Sequence, residues 1–72
     1  MALHDFKPHE LRVVSEKGEL DVRIGKLIEF IEGPIFVGLS LQEQSNLKIQ
    51  ASIMFAYSAI LEQRIVNFAT AV

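Results

Sequence analysis

Apolar residues recur at helical spacing in two long runs separated by a single break. In the first run Val13, Leu20, Ile24, Leu27 and Ile31 form one stripe of a helix. In the second, Leu47, Ala51, Met54, Ser58, Leu61, Ile65, Phe68 and Val72 alternate in steps of four and three, the seam of a helix lying against another. Pro8 suits the first position of a helix, where a missing N–H costs nothing. Gly33-Pro34 ends that helix, with glycine at the stop and proline just beyond. "IFVGLS" is an apolar connector, and Ser40 followed by Glu43 is an S-x-x-E capping box opening the second helix. The pattern predicts an all-α fold, one antiparallel two-helix hairpin filling 1–72: an arm at 1–7, helices at 8–32 and 41–69, and a connector at 33–40.

Each helix also has a second special face. Ile49, Ile53, Ala56 and Ile60 lie roughly opposite the seam of the second helix, at about 100° per residue. A lone hairpin cannot bury both sides. On the first helix the face away from the stripe reads Leu11, Ser15, Gly18, Val22, Gly25. A mid-helix glycine costs roughly 1 kcal/mol relative to alanine, and here two stand seven residues apart on one side. Small residues so placed let another backbone, or a flat ligand, come close. Tight packing between subunits explains them, and so does a ligand surface made by that packing; the two are compatible.

Composition sharpens this. With 72 residues and no cysteine, the chain sits where scaffolds need disulfides, a metal or oligomerisation, and disulfides are excluded. His4 and His9 beside a proline make a poor metal pair, so neither metal nor cofactor is expected. Half the residues are hydrophobic, too many for a disordered chain, which leaves a homo-oligomer as the expected route to stability. The net charge of −2 argues against DNA, whose sequence-independent binding rests on many phosphate contacts. A small anion needs only a few cations. No basic-then-apolar leader and no membrane-length apolar run is present, so a cytoplasmic location without membrane partners is expected.

Enzymatic patterns are missing: there is no phosphate-binding glycine loop, no G-x-S-x-G and no H-E-x-x-H. Glu16, Glu19, Asp21, Glu29 and Glu32 read as a solvated side of the first helix, pairing with Lys17, Arg23 and Lys26 at i,i+4 or i,i+3 spacing, with Glu19–Arg23 and Lys26–Glu29 as the obvious ion pairs. Catalysis is not expected. Lys26, beside Gly25, and Arg12 flank the small-residue face; they either reach an anion resting there or are ordinary surface cations. Arg64 continues the second apolar stripe of helix two, near Ile60 and Asn67. If that stripe is buried, Arg64 must meet a carboxylate, carbonyl oxygens or a phosphate, for which its planar fork is suited. Phe6, His9 and Tyr57 remain as residues that stack on a base or merely cover a helix end or interface.

The run "PHELRVVSEKGELDVRIGKLIEFI", followed by "LEQRIVNF" in the second helix, resembles small phage proteins that counter CBASS, a bacterial cyclic-oligonucleotide immune system. Their hairpin is shared with sponges that hold cyclic ADP-ribose signals of the Thoeris defence. The resemblance covers about residues 8–68 and is strongest in "RVV-EK", "KL-EFI" and "L-QRI--F". It implies a hexamer, a trimer of dimers, that sequesters cyclic dinucleotides between protomers and cyclic trinucleotides near the three-fold axis without cleaving them. Lys26 in "GKL" matches the lysine that meets dinucleotide phosphates. Leu11 stands where the family often has a stacking aromatic, with Phe6, His9 and Arg12 nearby, so the stacking residue is left open. Arg64 in "QRI", with Asn67, matches the trinucleotide site. The alternatives are a cyclic ADP-ribose sponge, or a helical oligomerisation module with no ligand.

Overall fold

The computed structural model describes residues 6–70. Met1–Asp5 of the expected arm, His4 among them, and Val72 of the expected seam lie outside the described residues. Two α-helices, α1 (Pro8–Glu32) and α2 (Leu41–Thr70), pack against each other around a short connector that holds a 3-10 turn at Phe36–Gly38.

The ends of the helices follow from their residues. At the start of α1, Pro8 occupies the first turn, and the Lys7 backbone N–H donates to Glu10 Oε1 at 2.8 Å. A lysine side chain has no acceptor, so this cap is one-sided. α1 stops at Gly33, whose φ of −88° and ψ of 173° are extended rather than left-handed. Glycine relieves a close approach instead: a Cβ there would stand 3.2 Å from the Glu29 carbonyl oxygen, a tight contact. At the start of α2 the Glu43 backbone N–H donates to Ser40 Oγ at 3.1 Å, as the S-x-x-E spacing predicts. The Gln44 side-chain amide donates to the carbonyls of Leu39 (3.0 Å) and Val37 (3.4 Å), tying the connector to α2.

The core is the seam between the helices. Val13, Leu20 and Ile24 of α1 close on Leu61 of α2, with Ile28, Met54, Ile65 and Phe68 packed around them. Leu61 is wholly buried, worth about 2 kcal/mol for a side chain of its size. Beyond Ile24 the core contact shifts to Ile28, while Leu27 is only half-buried; a straight helix of 3.6 residues per turn drifts off a strict seven-residue repeat. Phe36 folds the connector inward, with the Lys48 ammonium 5.7 Å from its ring centroid.

The second faces stay uncovered. Leu11 and Val22 on α1, and Ile49, Ile53 and Ile60 on α2, are each more than half exposed. At Gly18 and Gly25 an added Cβ would meet nothing within 4 Å. No helix among the described residues is long and apolar enough to cross a membrane.

Candidate functional site

The seam carries a polar layer. Continuing the four-three steps of the α1 stripe back from Leu20 and on from Val13 leads to position 17, which is a lysine; the matching position of the α2 seam is Ser58. The Lys17 ammonium donates to Asp21 Oδ2 at 2.7 Å and to Ser58 Oγ at 3.1 Å, and lies 3.7 Å from Glu62. The buried Ser58 hydroxyl in turn donates to Asp21 Oδ1. The hydrogen bond from Lys17, followed by that from Ser58, holds the Asp21 carboxyl below the usual carboxylate range. The bond to Asp21 raises Lys17 above its ordinary value, against the opposing effect of desolvation. These groups line an open groove of about 580 Å³ with Ile24, Gly25 and Phe55. Their polar atoms are committed to one another, so the layer aligns the helices.

This extends one sequence expectation and corrects another. Asp21 is exposed, as expected of the solvated side of α1, and it also bridges the helices through its hydrogen bond from Ser58. The ion pairs within 4 Å among the described residues are Lys17–Asp21 and Lys17–Glu62, and Glu19–Arg23 and Lys26–Glu29 are not closed. Exposed pairs gain little over hydration, so solvent wins there, whereas Lys17 has partners on both helices. The gap at position 17 in an otherwise apolar stripe, opposite a serine in the facing seam, is the signal that locates this layer.

The candidate binding residues separate into two groups along the rod. At one end, where α1 starts and α2 finishes, His9 and Phe68 meet edge-to-face at 6.3 Å, and the Arg64 guanidinium sits 6.0 Å over the same Phe68 ring. His9 and Arg64, expected in separate sites, thus share one aromatic. Leu11, Arg12 and Asn67 are exposed in this half of the molecule, and Phe6 is half-buried. Lys26 lies far from them: fourteen residues after Arg12 on one helix is about 21 Å. It lines a hollow of about 350 Å³ at the C-terminal end of α1 with Glu29, Phe30, Gly33, Pro34 and Ile35. Within one protomer the five dinucleotide candidates therefore do not converge. Tyr57 is exposed on α2.

Cations without carboxylate partners flank open apolar surface, and among the described residues no cluster of three or more His, Asp or Glu could hold a metal. Fold and surface together describe a small helical hairpin with open apolar faces. The chain belongs to the Sequestin family, whose model matches residues 7–67, nearly all of both helices and the connector. The name denotes sequestration, a binding role rather than a chemical one. No curated protein and no solved structure matches the chain.

Proposed function

We propose that the protein is a phage-encoded, non-catalytic sponge that binds cyclic di- and trinucleotide immune signals in the cytoplasm of the infected bacterium and withholds them from CBASS effectors. The observation that carries this reading is the family match over residues 7–67, with the sequestration its name denotes. Geometry adds support. The distance of about 21 Å between Arg12 and Lys26 exceeds what one small cyclic ligand spans. A dinucleotide site that uses Lys26 with Leu11, Arg12, His9 and Phe6 therefore draws them from two copies of the chain. The open faces at Gly18 and Gly25 and at Ile49, Ile53 and Ile60 are suited to that assembly, a hexamer built as a trimer of dimers. Arg64 is exposed with Asn67 three residues on, and three copies about an axis would present three guanidiniums to the phosphates of a cyclic trinucleotide.

Calorimetric titration with a cyclic dinucleotide and a cyclic trinucleotide, followed by heat denaturation and chromatography of the released ligand, tests the reading. Tight binding with intact ligand recovered is expected. Lys26→Ala should weaken the dinucleotide at least tenfold and leave the trinucleotide unchanged, and Arg64→Ala should do the reverse. Equal loss of both ligands in each variant, with the oligomer intact, would defeat the two-site assignment. Binding of a cyclic ADP-ribose signal in their place would move the protein to the Thoeris side. Binding of none, with a stable oligomer in hand, would leave a plain helical oligomerisation module, the reading that the exposed isoleucines of α2 favour by themselves.

A further inference from the structure

The hollow at the end of α1 has more chemistry than a single lysine. Lys26, Glu29, Phe30 and Gly33 follow one another at i, i+3, i+4 and i+7, so they share a face of the helix. Gly33 leaves the helix in an extended conformation, and Pro34 and Ile35 then wall the hollow from the other side. Lys26 and Glu29 line the same space without closing on each other. Phe30 is 37% exposed and Ile35 65%, an apolar pairing that the fold leaves open to solvent. A volume of about 350 Å³ lies within the range of small-ligand sites and has room for a nucleobase.

We propose that this hollow is the base-reading half of the dinucleotide site and that it takes guanine; the inference rests on the sponge reading above. Lys26 meets a phosphate as a point charge. Phe30, with Pro34 and Ile35, holds the face of the adjoining base, supplying the stacking surface that Leu11 does not. The Glu29 carboxylate presents two acceptors and no donor. That pattern pairs with the N1–H and exocyclic N2–H of guanine. Adenine offers a donor and an acceptor on the same edge, so one carboxylate oxygen would face a ring-nitrogen lone pair, and the mismatch works against it.

The test is titration of the purified protein with cyclic di-GMP and cyclic di-AMP, for the native chain and for Glu29→Gln, Phe30→Ala and Phe30→Tyr, with helical content checked by circular dichroism. Native protein should prefer cyclic di-GMP about tenfold or more, and Glu29→Gln should bring the two ligands to within a few-fold. Phe30→Ala should weaken cyclic di-GMP about tenfold, in keeping with the stacking of one base, while Phe30→Tyr retains affinity. Binding that requires Lys26 but is indifferent to base, to Glu29 and to Phe30 would overturn the inference and leave the sponge reading intact. A preference for cyclic di-AMP would overturn it in the same way. Failure of the native chain to bind any cyclic dinucleotide would sink both together.

Discussion

Gly18 and Gly25 stand in the middle of a 25-residue helix with open space where a side chain would go. In the isolated hairpin nothing is gained by leaving that space empty, since alanine is better by about 1 kcal/mol in a helix interior. Gly33 is different, because a Cβ at that position would press on the Glu29 carbonyl at 3.2 Å within the same chain. Gly18→Ala therefore separates the protomer from the assembly. At low concentration it should raise the melting temperature, by the equivalent of about 1 kcal/mol. In the proposed assembly another backbone approaches this face, so sedimentation equilibrium should show the variant dissociating at concentrations where the native oligomer holds. An alanine that stabilises protomer and oligomer alike would mean that the face packs against nothing.

Between the two helices, the apolar seam sets how much surface is buried and the Lys17–Asp21–Ser58–Glu62 layer sets how the helices align. Leu, Ile and Val side chains tolerate sliding by a turn far better than a lysine that must find a hydroxyl and two carboxylates. A polar residue in a helical seam is best attested in this register-setting role. The layer also gives the hairpin a pH dependence of known sign. Asp21 titrates lower folded than unfolded, so its contribution is complete above the ordinary carboxylate value of about 4 and is lost as pH falls through the depressed folded value. Lys17 is raised on folding, so its contribution is present at neutral pH and lost above about 10, as pH climbs through its raised folded value. Melting temperature measured against pH should decline at both extremes. Asp21→Asn should lower it at pH 7 and flatten the acid limb, and an unchanged acid limb would assign the acid sensitivity to other carboxylates.

As a whole, the molecule is a rod of 51 × 18 × 17 Å with a radius of gyration of 16.2 Å, where a compact chain of this length has about 11 Å. Its accessible surface of 5502 Å² exceeds by roughly a fifth what a compact monomer of its mass exposes. Exposed apolar side chains stand along α2, where Ile49 is 55%, Ile53 63% and Ile60 60% exposed. Such a surface suits a protein that completes itself with further copies, which also brings the two ends of α1 together across the proposed interface. Ile53→Glu should have little effect on the helical content of the protomer, as exposed substitutions usually change stability by no more than about 0.5 kcal/mol. Size-exclusion chromatography with light scattering should show it shifted to smaller species. An assembly unchanged in mass would remove this face of α2 from the interface.

The amino-acid sequence by itself determined the two helices, their caps and the seam residues, because each depends on intervals of three and four positions within one continuous segment. Val13, Leu20 and Ile24 opposite Ala51, Ser58 and Leu61 are legible in that spacing, as are the second faces that one hairpin cannot cover. The pairing of Lys17 with Asp21 follows from their spacing of four, but which polar groups meet across the helices was decided only by tertiary structure. Lys17, Asp21 and Glu62 look like surface residues when each helix is read alone, and the register of α1 on α2 is what delivers them to Ser58. In the same way Lys26, Glu29 and Phe30 share a helical face that spacing reveals, yet their hollow exists because Gly33 turns the chain and brings Pro34 and Ile35 alongside. Periodicity is a local property of the chain. A partner across a seam or a wall around a hollow depends on where a second segment comes to rest, and packing energy decides that over the whole length of the helices.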